Sequence, residues 1–406
     1  MKQRLLMMAV LAAFGAAAPA AGTETKAADA KTDASAPPAV KAGDASSEAQ
    51  YMWYQFVNAV RPAGGSLNFE NWTEQCQLNP AMAGCPNATA AEGKTRTPHG
   101  SALAAALRKR MGKADTTQGG IECNPMQTTP LNGFPPPSNL AKGAQFCEEV
   151  FVNADEATFV KGNGLTTLDG QAAYGKAHGG AITFPKTSLE IKADWVPASS
   201  YTNPTFQCPD PTSQLYTETI NGTCYALVGM HVSSKALPDW IWATFEPASS
   251  VTNPNRCDAK LYNECYDPWG TTSKTPYGKG VKATQSPPLQ QLMTSANLNK
   301  AFYNYFLTGV QTTFVDGNGK PIPLGSSFIE FNAGVPPHQA SCITCHKYAY
   351  FDGKPVSPEN NFGGPPQGWP SVGYACNKNQ NGNCTPVTPG SISQDFSWML
   401  GLMPVK

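Results

Sequence analysis

Hydrophobic and polar residues alternate along several short stretches in the middle of the chain. The clearest are SLEIKADW, TCYALVGMHVS and DWIWATFE, and EATFVKG and GAITF are similar but shorter. Each contains β-branched and aromatic residues and is bounded by Gly, Pro, Asn or Ser, which is typical of strands. Their number and spacing between Phe151 and Glu246 predict a mainly β, sandwich-like body.

Helical patterns are fewer. SALAAALRKRMGK, from Ser101, begins with a capping residue and continues in strong helix formers. A second helix is predicted from about Pro288 to Leu307, where Gly309 would end it. Its apolar face is formed by Leu289, Leu292, Met293 and Ala296.

The first residues have the pattern of a secretory signal. Lys2 and Arg4 precede an apolar run and the small residues Ala18-Pro19-Ala20. The run is shorter than the roughly 20 residues that cross a bilayer, and no later stretch is apolar enough to do so. We therefore predict cleavage after residue 20, no membrane span in the mature protein, and a periplasmic or secreted location.

Composition divides the remainder of the chain. Residues 21–48 contain no aromatic side chain and predict a disordered linker, whereas aromatic residues become frequent from Tyr51. The rest exceeds the usual size of one core, which predicts a β-rich domain at 49–285 and a second segment at 286–406. Lys and Arg together number 29, as do Asp and Glu, so nothing indicates a basic face for nucleic acid.

Cysteines are numerous for an exported protein. There are 12, of which Cys342 and Cys345 belong to the sequence SCITCH. The other ten form five neighbouring couples: Cys76 with Cys85, Cys123 with Cys147, Cys208 with Cys224, Cys257 with Cys265, and Cys376 with Cys384. Because unpaired thiols rarely persist in an oxidising compartment, we predict that these couples are local disulfides.

The segment Cys342-Ile343-Thr344-Cys345-His346 is a Cys-x-x-Cys-His motif. Two thiols at this spacing can add to the vinyl groups of one haem, and the next residue places an imidazole below the iron. The alternatives are a disulfide or a thioredoxin-like redox pair, but no βαβ pattern surrounds the motif. The sequence thus predicts one covalent haem c, held in a helical, cytochrome c-like segment.

The second axial ligand is less defined by the sequence. Met399 and Met403 lie downstream of the motif, although Gln394 to Leu402 could instead form a closing helix in which both are core residues. His231, at the end of a predicted strand, is a further candidate. His338 is predicted to lie at the haem edge.

Four segments resemble a group of bacterial exported c-type cytochrome family proteins. They are EIKADW, HVSSKALPDWIWATFEP, FIEFNAGVPPHQASCITCH and DFSWML, within residues 150–406. The resemblance implies covalent haem at Cys342, Cys345 and His346 and electron transfer. It implies no substrate.

Three functions are compatible with these features. The first is a periplasmic electron carrier that acts with a redox partner protein, with its oligomeric state unspecified. The second is a peroxidase-like haem enzyme with an open distal site, for which His231, Lys235 and Glu246 are candidate acid-base and charge-stabilising groups. The third is a binding module that uses an aromatic platform of Trp195, Trp240 and Trp242.

Overall fold

The structure, a computed structural model, describes most of the chain after residue 36. The described residues are 37–78, 123–202, 206–248, 257–351 and 391–401, except for 132, 138, 261–263, 279–280, 282, 321 and 348. For 376–378 and 384–386 the structure describes the backbone alone. The predicted signal at 1–20 and the helix predicted from Ser101 lie outside this range.

One antiparallel sheet dominates the fold. A short hairpin, β1 (Pro62–Ala63) with β2 (Ser66–Leu67), precedes it. The eight strands of the sheet are β3 (Thr73–Glu74), β4 (Asn124–Pro125), β5 (Gln145–Val152), β6 (Leu189–Pro197), β7 (Thr217–Ile220), β8 (Thr223–Ser234), β9 (Ile241–Pro247) and β10 (Tyr305–Gln311). The order is β10-β9-β8-β6-β5-β3, with β4 paired to β5 and β7 paired to β8.

Short strands and helices surround this sheet. The remaining strands are β11 (Tyr350–Phe351), β12 (Cys376–Lys378), β13 (Cys384–Pro386) and β14 (Ile392–Ser393), which form two ribbons, β11 with β14 and β12 with β13. The helices are α1 (Ala45–Val60), α2 (Gln75–Leu78), α3 (Ala154–Gly162), α4 (Leu168–Ala177), α5 (Pro287–Ser295), α6 (Ile329–Asn332), α7 (Cys342–Lys347) and α8 (Trp398–Gly401).

One face of the sheet packs against α1. Trp53 and Phe56 of this helix contact Phe245 of β9, with ring centroids 4.9 and 4.2 Å away. Alternate residues of β6, such as Ile191 and Trp195, point into the same core and are fully buried. Because side chains alternate across a strand, this core fixes which residues face the other way.

The opposite face of the sheet is polar. The residues that it presents are Glu148, Glu190, Lys192, Asp194, His231, Ser233, Thr244 and Glu246. Strand register places Glu148 opposite Asp194, Lys192 opposite His231, and His231 opposite Thr244. Most of them are buried, so this face must be covered by other parts of the chain. The segments around α6, α7 and α8 provide this cover.

The prediction of a sheet-rich, disulfide-containing fold is confirmed, but its sandwich arrangement differs from what is observed. Among the described residues there is one large sheet, with α1 on one face and short helices on the other. Within 286–406 the helices α6, α7 and α8 have only four to six residues each.

Three local predictions were wrong. GAITF is not a strand, because only Ala181 within it pairs with another residue, in an isolated bridge to Ser393. EATFVKG is not a strand but lies in α3, where Asn153 caps the helix and Ala157 and Val160 are buried three residues apart. The helix predicted from Pro288 to Leu307 ends at Ser295. A positive φ at Asn297 stops it, and β10 begins at Tyr305.

The predicted boundaries of the linker and domains also change. Asp44 caps α1 at Ala45, and the buried Glu48 accepts hydrogen bonds from the backbone of Gly43 and from Thr312, both at 2.7 Å. The last residues of the predicted 21–48 linker are therefore part of the fold. The described residues from 37 onward belong to one compact unit, and β10, which lies within the predicted segment 286–406, belongs to the main sheet.

Three of the predicted disulfides are present. They join Cys123 to Cys147, Cys208 to Cys224, and Cys257 to Cys265. Cys85 lies outside the described residues, as do the side chains of Cys376 and Cys384. Within the described part of the chain, no helix has the length and apolar character needed to cross a membrane. The disulfides fit folding in an oxidising compartment.

The Cys208–Cys224 disulfide closes a loop that contains β7 and is expected to contribute strongly to stability. Replacing both cysteines with serine should lower the free energy of unfolding by about 3 kcal/mol, because the unfolded chain regains the entropy of the open loop. Urea denaturation measures this loss. An unchanged midpoint relative to the oxidised wild-type protein would contradict the expectation.

Candidate functional site

One short helix carries the whole Cys-x-x-Cys-His motif. Residues three and four positions apart share a face of a helix. On α7, Cys342, Cys345 and His346 therefore lie on one side, and all three line the same cavity. A single helical turn thus brings two sulfur atoms and an imidazole to one space.

Gln311, the last residue of β10, fixes this helix to the sheet. Its Oε1 accepts a hydrogen bond from the backbone N–H of Ile343 at 2.9 Å, and its Nε2 donates to Ser341 Oγ at 3.0 Å. Ser341 Oγ also accepts from the backbone N–H of Thr344 at 3.3 Å. These bonds satisfy donors that have no partner within the helix and hold the motif against the sheet.

The imidazole of His346 is oriented by the chain before α8. Its Nδ1 donates to the backbone carbonyl of Phe396 at 2.7 Å, because a carbonyl oxygen can only accept. The Trp242 ring lies 4.3 Å from the imidazole, centroid to centroid. Burial lowers the pKa of His346 to about 4, although the Phe396 bond acts in the opposite direction. His346 is therefore neutral at pH 7 and keeps a lone pair on Nε2.

Cys342 and Cys345 are free thiols, although they lie one helical turn apart. The other cysteines whose side chains the structure describes are all disulfide-bonded. Burial raises the pKa of Cys342 well above its ordinary value and that of Cys345 to about 12. Both are thus protonated thiols, unlike the activated thiolate of a thioredoxin-like pair.

The cavity lies between α7 and the polar face of the sheet. It is partly open to solvent. Its apolar lining includes Val150, Ile191, Ile329, Val335 and Met399. An apolar lining with a few polar groups is typical of sites that bind small molecules or cofactors.

His231 reaches the cavity from β8, on the sheet side. Its Nε2 is buried without a hydrogen-bond partner and lies 3.7 Å from Glu330 Oε2. Burial lowers the pKa of His231 well below its ordinary value and raises that of Glu330 to about 7. The pair is thus not a fixed ion pair at neutral pH, and the His231 lone pair remains available to a ligand.

Further charged residues complete the sheet side. Lys192, beside His231 in the strand register, forms an ion pair with Glu148 at 3.1 Å. Glu190 also lines the cavity and accepts a hydrogen bond from Ser397 Oγ at 2.7 Å. The polar wall therefore holds more carboxyl groups than cations.

A second grouping of ligand atoms lies within the same space. His231, Glu330 and Cys342 each offer one atom, and these atoms are within 4.8 Å of one another. Such a set could hold a single metal ion. It would leave Cys345 and His346 without a role, whereas a larger cofactor would engage the residues of the whole cavity.

The other predicted ligands are placed differently. Met399 of α8 lines the cavity and is 3% exposed, while Met403 lies outside the described residues. The closing helix predicted from Gln394 is limited to α8, since Asp395 and Phe396 have positive φ angles. His338, predicted at the haem edge, is not among the residues that line the cavity.

The groups predicted for an enzyme do not meet as a set. Lys235 pairs with Asp395 at 2.6 Å, and Glu246 accepts hydrogen bonds from the backbone and hydroxyl of Ser327. Neither lines the cavity with His231. Glu330 and Lys192 take these places instead. The sequence did not single them out, although the alternation in EIKADW places Lys192 on the face opposite the core.

An exposed aromatic platform is also absent from the described surface. Trp195, Trp240 and Trp242 are each at most 4% exposed, and Trp242 packs against His346. These tryptophans are core residues and cannot form the exposed platform that the binding-module hypothesis requires.

Comparison with known proteins adds no assignment. No protein-family model, curated protein or solved structure matches the chain significantly.

Proposed function

We propose that this chain is an exported c-type cytochrome that carries one covalent haem and exchanges electrons with a redox partner protein. The observation that carries the proposal is the arrangement of two free thiols and a neutral imidazole on one turn of α7, facing one cavity. When bound, haem supplies a one-electron redox centre. The resemblance of the sequence to exported c-type cytochromes supports the same function.

Each residue of the motif has a distinct role in this proposal. The thiols of Cys342 and Cys345 would hold the haem by adding to its two vinyl groups. His346 offers Nε2 as the proximal ligand, and the Phe396 carbonyl fixes its tautomer and ring orientation through Nδ1. Segment 286–406 thus supplies the attachment site, and the sheet supplies the opposite wall.

We propose that His231 would be the second residue to hold the haem iron. Its Nε2 is buried in the cavity without a hydrogen-bond partner, which is costly unless a ligand occupies it. Met399 is the alternative. However, its neighbour Trp398 donates to the carbonyl of Cys345 at 3.1 Å, which places α8 beside the motif rather than across the cavity. His231 projects from the sheet and is the better candidate for the far side.

A peroxidase-like enzyme is the second candidate function. It rests on the 3.7 Å approach of Glu330 to His231, an arrangement in which an imidazole could move protons rather than bind iron. Steady-state peroxide reduction with a reduced electron-donor protein distinguishes the two functions. If the protein is an electron carrier, its rate of peroxide reduction should be no higher than that of a short peptide that carries haem c.

The proposed function is tested by producing the full chain where haem-attachment enzymes are active. We expect a red protein whose haem resists acid-acetone extraction and remains with the chain on a denaturing gel. We also expect a low-spin, six-coordinate spectrum in both oxidation states. A colourless protein, or one that loses all its haem on extraction, would overturn the proposal.

A further inference from the structure

Two buried carboxyl groups meet at the edge of the cavity. Glu190 of β6 lines the cavity, and Glu156 of α3, which does not line it, lies next to Glu190. Glu156 is fully buried, and its carboxyl group lies within hydrogen-bonding reach of that of Glu190. Glu190 accepts the bond from Ser397 Oγ noted above, and its carboxyl group also lies within hydrogen-bonding reach of that of Glu156.

The charged groups that face this pair do not neutralise it. Lys192, two residues along β6, is engaged by Glu148, and Lys235 is engaged by Asp395. Asp395 adds a further negative charge near both glutamates. Two adjacent buried carboxylates cannot both remain ionised without a cation, so the pair must hold a proton over part of the accessible pH range.

Burial and mutual repulsion act in the same direction on Glu156. They raise its pKa well above the ordinary value, and burial also raises the pKa of Glu190. Of the two, only Glu190 lines the cavity, which is partly open to solvent. The pair can therefore bind a proton, and it lies close enough to the cavity for a charge there to change the affinity for that proton.

We propose that Glu156 and Glu190 form a proton-binding site that is linked to the redox state of the haem, an inference that rests on the proposed function. When one electron enters from the redox partner protein, one proton from solvent binds to a carboxylate oxygen of the pair. Reoxidation releases the same proton. The net charge of the cavity is then unchanged, which removes the cost of adding an uncompensated charge to a buried site.

The test is the pH dependence of the midpoint potential of the haem-loaded protein. In the wild type, the midpoint should fall by about 59 mV per pH unit where the pair titrates, since each unit changes the one-electron equilibrium tenfold. Glu190→Gln and Glu156→Gln should each abolish this slope. If one variant fails to fold, the other supplies the result.

Asp194→Asn is the matched control. Asp194 lies on the same face of β6 and is fully buried, but its charged neighbours are Lys192, Glu148, Glu330 and Glu246 rather than Glu156, so its variant should keep the wild-type slope. Infrared difference spectra between the reduced and oxidised states should show a protonated-carboxyl band that disappears in Glu190→Gln. A pH-independent wild-type midpoint, or a slope retained in both glutamine variants, would overturn the inference. Absence of haem would instead overturn the proposed function.

Discussion

Replacing Cys342 and Cys345 together with alanine is expected to abolish covalent haem attachment. The two thiols are the only sulfur atoms that α7 directs into the cavity, and no thioether can form without them. The variant should accumulate as colourless chain, or as chain whose haem is removed completely by acid-acetone. Haem staining on a denaturing gel and the mass of the intact protein measure the effect.

Matched variants separate attachment from folding. Cys342→Ala and Cys345→Ala alone should each retain haem through one bond, with a shifted haemochrome spectrum. Cys257→Ser/Cys265→Ser removes a disulfide that does not line the cavity, so each folded molecule should still carry haem. Haem that resists extraction from the double alanine variant of the motif would show that attachment occurs elsewhere.

Replacing His231 with alanine is expected to open the second axial position. A six-coordinate, low-spin protein should become high-spin and should bind cyanide when oxidised and carbon monoxide when reduced. Added imidazole should restore the low-spin spectrum, because the cavity left by the side chain accepts the free ligand. Optical and magnetic-resonance spectra follow each step.

Two controls locate the ligand. Met399→Leu preserves the apolar volume of the cavity wall and should leave the spectrum low-spin. His178→Ala removes an exposed imidazole that stacks on Tyr174 and should change nothing at the haem. If Met399→Leu alone produces the high-spin state, Met399 is the ligand. If the wild-type protein is already high-spin and its peroxide turnover disappears in His231→Ala, the enzyme function is favoured instead.

The central strands could be predicted because their side chains alternate between a core and a second face. In EIKADW, Ile191 and Ala193 face α1 while Glu190, Lys192 and Asp194 face away, and the sequence shows this period directly. EATFVKG was wrongly predicted as a strand because it is short and contains β-branched residues. The cap at Asn153 instead starts a helix that includes this segment. Local patterns therefore identified strands best where one face is buried against a single core.

The sequence also identified the motif but not the rest of its surroundings. Cys342, Cys345 and His346 form a local signal, since one helical turn suffices to bring them together. Glu330 and Glu190 are brought to the cavity by tertiary packing from distant parts of the chain. No sequence spacing between them predicts that they line the same cavity. His231 could be nominated from its place on a strand, but only the register of β6, β8 and β9 places it in the cavity wall.

The carbonyl of Phe396 gives the imidazole of His346 a hydrogen-bond acceptor that belongs to the main chain. Any amino acid at position 396 would present the same oxygen, provided that the backbone kept its left-handed turn. Side-chain substitution there should thus leave the electronic character of the imidazole largely untouched. Altering the turn itself, for instance by inserting a residue between Asp395 and Phe396, would be the effective way to change it.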